Sequence, residues 1–275
     1  MNGIIIADKD KDMTSFDVCH RLMKIFNTKK IGHTGTLDPI ATGVLVCTIG
    51  KYTKLNEVLT STYKEYIAEM YIGRLTDTLD SEGKDIPCNI RTDITENEIR
   101  DTIMSYKKTY SQEVPLYSSV KINGKKLYEY ARNNIPVELP KRDVTIKEIE
   151  ILDIKDNIVK FKCLVSKGTY IRSLIRDIGA SLNTGAIMTS LRRTKQGIFN
   201  IEDAYTLDSI SNNNYKILTI EDILDLDVIE CDDDLYKKVN SGVKQNYNKE
   251  YTLYKYNSEN IALYREGKMF IYFND

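Results

Sequence analysis

Tryptophan is absent from the 275 residues, and histidine occurs only twice, as His20 and His33. The five cysteines, Cys19, Cys47, Cys88, Cys163 and Cys231, stand far apart, with no CxxC pair. A structural zinc needs about four clustered Cys or His ligands, and the sequence offers no such cluster. Reduced, mostly buried thiols fit the pattern better than disulfides. Long apolar runs are also missing. The N-terminal "MNGIIIADKDKDM" has three isoleucines followed at once by charges, which suits neither a signal peptide nor a membrane span. The expected location is the cytoplasm, with no membrane partner. No GxxxxGK[ST] or dinucleotide fingerprint is present, which argues against a phosphate-binding metabolic enzyme.

What is present supports a globular chain. Hydrophobic residues are 41% and charged residues 29%, enough apolar material for a core. The length suggests one large unit plus a small one. The net charge of −1 hides an asymmetry. Residues 201–275 carry 8 Lys+Arg against 15 Asp+Glu, and residues 1–200 carry 31 against 25. The sign changes near "LRRTKQG", so the basic part is the candidate for an anionic partner.

The pattern along the chain predicts a buried strand from Gly3 and a helix capped by Thr14 or Ser15. That helix has an apolar face of Phe16, Val18, Leu22, Met23 and Phe26. Strands are expected at Val44–Gly50 and Tyr63–Gly73. Thr95 and Glu98 form a capping box at a helix start. An Asn123-Gly124 turn, a hairpin through Asp156-Asn157, and a helix capped by Thr169 follow. "LYKKVNSGVKQN", "YTLYKY", "NIALYREG" and "MFIYF" read as short strands of a β-rich tail. Strands and helices mix without a βαβ rhythm, which predicts an α+β fold around a largely antiparallel sheet.

The candidate chemistry centres on "KKIGHTGTLDPIATGVL". Proline disfavours the α region for the residue before it, so Asp38 is held extended or in a turn. Such a carboxylate is either a nucleophile or base, or a turn residue satisfied by local N–H groups. Arg172 falls in the first turn of the helix after Thr169. A cation there opposes the helix dipole at a cost of roughly 0.3–1 kcal/mol, unless an anion lies against it. Tyr63, Tyr66 and Tyr71 crowd one strand, and Tyr170 lies near Arg172. Tyrosines beside basic residues stack on nucleobases, although for Tyr63 and Tyr71 strand packing with a wet hydroxyl is the better reading. In "GRLTDTLDSEG" the spacing of Asp77, Asp80 and Glu82 does not match a calcium loop. These acids are expected to organise a turn and pair with nearby basic side chains.

Four segments, "GHTGTLDPIATGVL", "YKEYIAEMYIGRLTDTLDSEG", "VPLYSSVKINGKKLYEYAR" and "SKGTYIRSLIRDIG", together resemble the motifs of the bacterial tRNA pseudouridine-55 synthases. The resemblance covers residues 3–200, in that family's order and spacing, and "ATG" resembles the stand-alone enzymes more than their guide-RNA-dependent relatives. After Phe199 it loosens, and the tail resembles a truncated PUA-type RNA-binding module. The resemblance implies a pseudouridine-synthase fold, with a catalytic domain over 1–200, an acidic connecting segment over 201–230 and a PUA-like β domain over 231–275.

It also implies a reaction. A uridine in the T-arm loop of tRNA flips out, its C1′–N1 bond breaks, and the base rejoins through C5. Neither cofactor nor metal is implied, nor a guide RNA or protein subunit, and the chain is expected to act as a monomer. By position, Asp38 would be the essential carboxylate, Tyr66 the base-stacking tyrosine, and Arg172 the partner of Asp38. His33 would contact RNA, and Tyr170 and Leu191 would line the base pocket. Lys54, Lys64 and Asp80 would belong to the supporting shell or the RNA groove. Lys121, Lys125, Lys126, Arg142, Lys167, Arg192 and Arg193 would meet phosphates. Binding alone would not need Asp38, so the intact Asp38, Tyr66 and Arg172 set favours catalysis over a pure RNA-binding module.

Overall fold

The structure, a computed structural model, describes residues 1–60 and 62–273. The first half runs β1 (Gly3–Lys9), α1 (Ser15–Ile25), β2 (Ile31–His33), β3 (Thr42–Ile49), a 3-10 turn over Gly50–Leu55, α2 (Asn56–Leu59), β4 (Lys64–Ile72), α3 (Glu96–Ser105), β5 (Thr109–Glu113), β6 (Lys121–Ile122), β7 (Lys125–Lys126) and α4 (Leu127–Arg132). The chain continues through β8 (Lys141–Lys155), β9 (Ile158–Val165), α5 (Ile171–Ser181), β10 (Ala186–Gln196), β11 (Phe199–Asn200), β12 (Tyr205–Thr206) and α6 (Leu207–Ser211). Its last part comprises β13 (Leu226–Glu230), α7 (Asp233–Asn240), β14 (Tyr251–Tyr256), β15 (Glu259–Arg265) and β16 (Lys268–Tyr272).

A ten-stranded sheet in the order β12-β1-β3-β10-β4-β9-β8-β5, with β2 and β11 off that path, forms the large unit. Among the described residues, only β1–β12 and β3–β10 are parallel within it, so the sheet is mixed and largely antiparallel, as the sequence predicts. Alternation along β4 points Tyr66, Ala68, Met70 and Ile72 into the main core. Helix α5 packs there too, through Ile171, Leu174, Ile175 and Ile178. At the β3–β10 crossing Gly43 has φ +101°, and a Cβ there would lie 2.2 Å from the Arg193 carbonyl oxygen. Only glycine fits such a close backbone approach.

Four strands, β13-β14-β15-β16, make a separate sheet. It shares an apolar core with the first unit, where Leu253, Leu263 and Ile271 meet Ile4, Val44 and Tyr52.

Several local expectations are corrected. Phe16 is 58% exposed and lies against His20, with ring centroids 4.6 Å apart. Cys19, three residues before Leu22, takes the buried place instead. Thr95 caps α3 by accepting from Glu98 N–H, but the Glu98 carboxylate turns to Arg91 rather than closing a box. The segment beginning "LYKKVN" is not a strand but most of α7. Asp232 caps it, Asp233 and Asp234 lie in its first turn, and Lys237 and Lys238 in its last, which suits the helix dipole. Leu226–Glu230, the end of the acidic stretch, pairs in parallel with β14.

Candidate active site

The loop before β3 is fastened on both sides of Asp38. Leu37 N–H donates to the buried Ser15 Oγ at 2.9 Å, and that hydroxyl reaches the Leu37 carbonyl at 3.3 Å. The Pro39 carbonyl accepts from Asp12 N–H at 2.9 Å and from Lys9 Nζ at 3.2 Å. Asp38 itself accepts a backbone bond from Ala41 N–H. The result is a rigid turn that presents one carboxylate.

Helix α5 brings the counter-ion. Arg172 is buried, whereas the Asp38 side chain is 32% exposed. Arg172 Nε donates to Asp38 Oδ2 and Nη2 to Oδ1, both at 2.9 Å. Such a fork is the strong, geometrically specific kind of ion pair. Two further donors are also used: Nη1 meets the Thr78 carbonyl at 2.9 Å and Nη2 the Tyr117 carbonyl at 3.0 Å. The cation at the helix start is thus balanced by an anion, as the dipole argument requires. The expected cap is corrected. Tyr170, not Thr169, is the N-cap residue. Gly168, at φ +86°, turns the chain back, so the Thr169 hydroxyl donates to the Ser166 carbonyl.

A cavity of about 380 Å³ opens over the pair, within the size range of small-molecule sites. Its walls include Asp38, Tyr66, Tyr170, Arg172, Leu191 and Lys64. Burial raises the pKa of the Tyr66 phenol, against the opposing effect of Arg193. Burial likewise raises that of Tyr170. Burial lowers Lys64 to about 8, helped by Arg193 and Lys167. The Lys64 ammonium donates to the Thr60 and Thr62 carbonyls at 3.1 and 3.2 Å.

Three of the nine expected site residues lie off this wall. Asp80 is buried behind it, where Oδ1 accepts from the Thr78 hydroxyl and Glu82 N–H. It thereby shapes the turn whose Thr78 carbonyl holds Arg172. Asp77 in the same turn bonds Lys84 N–H and the Tyr117 hydroxyl. The acids organise the turn as expected, but the partners of Asp77 and Asp80 are neutral groups rather than basic side chains. His33 lies in β2 with its Nδ1 buried and unpartnered, and its pKa is lowered by burial and then by Arg193. Lys54 is exposed in the 3-10 turn.

Arg193 is also corrected. It is 1% exposed and donates to the Val44 and Gly35 carbonyls at 2.7 and 3.0 Å, so it stiffens the pocket floor. Lys9, which sequence reasoning passed over in "ADKDKD", is equally buried. It donates to the Asp10, Met13 and Pro39 carbonyls. Burial lowers its pKa to about 8, opposed chiefly by Asp38. Its only signal was alternation in β1, which puts Lys9 on the face of Ile5 and Ala7.

The sequence and fold around this pocket match known proteins. Residues 23–171 match the model of the TruB family pseudouridylate synthase (N terminal domain). Residues 172–231 match that of the tRNA pseudouridylate synthase B C-terminal domain. The class is therefore pseudouridylate synthase, an isomerase. The protein called tRNA pseudouridine synthase B in Fusobacterium nucleatum is 46% identical over 265 residues, covering 92% of both chains. Its namesake in Caldicellulosiruptor saccharolyticus is 43% identical over 242 residues, covering 88% of this chain and 83% of its own. The solved structure titled "Crystal Structure of a Cbf5-Nop10-Gar1 Complex" is similar at TM-score 0.69 and 27% identity, covering 96% of this chain and 78% of that one. The chain belongs to the TruB family. Among the described residues, no helix is long and apolar enough to cross a membrane.

Proposed function

We propose that the chain isomerises uridine 55 in the T-arm loop of tRNA to pseudouridine, with Asp38 as the essential carboxylate. The observation that carries this reading is the two-bond Asp38–Arg172 pair at the floor of an open pocket. The target base leaves its stack, at a cost of a few kcal/mol, and enters between Tyr66, Tyr170 and Leu191. Asp38 acts on its sugar or ring while the C1′–N1 bond breaks, and the base turns and closes a C1′–C5 bond. The proton lost at C5 is matched by one gained at N1, so substrate and product are isomers and no co-reactant is consumed. Arg172 holds the carboxylate in one orientation. The Tyr66 phenol, its pKa raised by burial, stays protonated at neutral pH and offers a ring face for stacking.

On this reading residues 1–200 form the catalytic domain, the 201–230 segment lends β12 to its sheet and β13 to the second one, and 231–275 complete a PUA-like module. The chain works in the cytoplasm as a monomer, without guide RNA or protein subunit. The name its relatives carry, tRNA pseudouridine synthase B, supports tRNA as the substrate. The test is incubation with an unmodified tRNA transcript and mapping of pseudouridine at nucleotide resolution. Modification at uridine 55 alone is the expected result; modification elsewhere, or none, overturns it.

A further inference from the structure

Helix α5 delivers Arg172 and Tyr170 to the pocket, yet its own sequence supplies no side-chain cap. The first N–H groups of a helix need acceptors. Gln112, in edge strand β5, provides one from another part of the chain: its Oε1 accepts from Tyr170 N–H at 2.8 Å. Gln112 is 2% exposed, so this amide is committed to the interior. Its Nε2 donates to the Tyr110 hydroxyl at 2.7 Å. That hydroxyl in turn donates to Asp177 Oδ2 at 3.3 Å, two turns down the same helix. The relay therefore leaves the helix at Asp177, passes through β5, and returns at Tyr170.

The next residues of β5 grip the same helix. The Glu113 carbonyl accepts from the buried Ser173 hydroxyl at 2.8 Å, and the Glu113 carboxylate meets Arg176 at 3.1 Å. Four residues on, the Tyr117 carbonyl takes Arg172 Nη2. The strand and the segment after it thus index the start of α5 along its axis. Tyr110 and Gln112 lie on one face of the strand because side chains alternate.

We infer that Gln112 is a positioning residue for the isomerisation: it sets the first turn of α5, and through it the placement of Tyr170 and Arg172 against Asp38. It touches no reacting atom. Displacement of reacting groups by about 1 Å can cost roughly 10²-fold in rate, so an acceptor supplied by a distant strand has kinetic weight. The inference rests on the reading of Asp38 given above.

The test compares variants in single-turnover reactions with saturating tRNA transcript, alongside equilibrium tRNA binding. Gln112→Met keeps the volume and removes the acceptor. Its saturated rate should fall about tenfold or more, roughly 1.4 kcal/mol of barrier, with tRNA affinity within about twofold of wild type. Gln112→Glu retains an oxygen opposite Tyr170 N–H and should recover most of the rate. Should Gln112→Met not fold, Tyr110→Phe removes only the hydroxyl that orients the amide and should lower the same rate by about threefold. A merely structural Gln112 would lower the melting temperature and leave saturated rates at the wild-type level in these variants, which overturns the inference. Equal losses in Gln112→Met and Gln112→Glu overturn it too. Asp38→Asn, measured in parallel, separates the two readings. An active Asp38→Asn sinks both, whereas an inactive one beside an unimpaired Gln112→Met sinks only the role of Gln112.

Discussion

Arg172 and Asp38, 134 positions apart, meet through two hydrogen bonds of 2.9 Å each. The buried partner is the cation, and its partly exposed partner faces the pocket. On the proposed reading the arginine is scaffold and the aspartate is the reagent.

Asp38→Asn keeps the size and most of the polarity of the side chain and removes its charge. Turnover should be lost while tRNA binding persists, since the basic surface is untouched. Single-turnover pseudouridine formation checks this. A rate within about tenfold of wild type, roughly 1.4 kcal/mol of barrier, would take Asp38 out of the chemistry.

Arg172 makes four hydrogen bonds. Arg172→Met leaves Asp38 and the Thr78 and Tyr117 carbonyls without it; a fully buried unsatisfied group costs about 1–3 kcal/mol, and these half-buried ones cost less each. The variant should melt well below wild type and show severely reduced saturated turnover. Arg172→Lys should be a partial rescue, because a point charge does not reproduce the planar fork. Near-wild-type saturated rates in Arg172→Met would break the link between the pair and catalysis.

Binding to tRNA should weaken with salt in spite of the net charge of −1. Lys121 and Lys125 are exposed on the β6–β7 hairpin, and the Lys126 ammonium lies 5.4 Å from the Tyr128 ring centroid. Replacing Lys121 and Lys125 by alanine should reduce the slope of log K against log salt by about 1 for each phosphate that is no longer neutralised. Arg193→Met should destabilise the fold and leave that slope unchanged, since the guanidinium is internal. A slope that drops in Arg193→Met and not in the lysine variant would reverse the assignment.

Lys64 gives a pH signature of defined sign. Its folded pKa is about 8, against an ordinary value of 10.5. Between these values the unfolded chain binds more protons at this site than the folded one, so its contribution to stability rises with pH. Below about pH 8 both states are protonated, and the full cost of burying the charge is present. Melting temperatures of wild type and Lys64→Met, compared from pH 7 to 10, should show wild type gaining on the variant above about pH 8. Parallel curves would mean that the amine is not desolvated.

The parts legible in the sequence were those that depend on neighbours along the chain. The Asp38-Pro39 turn, the strand alternation through Tyr66 and the unfavourable place of Arg172 are local signals, and they fall together on the pocket. What was not legible depends on distant carbonyls. Lys9 and Arg193 look like surface charges until the Pro39, Val44 and Gly35 carbonyls close around them. Thr169 carries the hydroxyl expected of a cap, but the left-handed Gly168 turns it away, and the acceptor comes from Gln112 instead. The segment beginning "LYKKVN" has apolar residues that suit strand or helix alike, and its acidic start and basic end decide for the helix.

The order of strands in the sheet has a consequence for synthesis. Strand β10, Ala186–Gln196, inserts between β3 and β4, which leave the ribosome long before it. Arg172 emerges 134 residues after Asp38, a delay of roughly 7–27 s at 5–20 residues per second. Throughout that interval Asp38 stands without its partner, and β3 and β4 lack the strand that joins them. A nascent chain therefore carries the Asp38 carboxylate before the pocket walls that Tyr170, Arg172 and Leu191 supply. The pocket is complete only when β10 joins β3 to β4 and brings Leu191 to its wall.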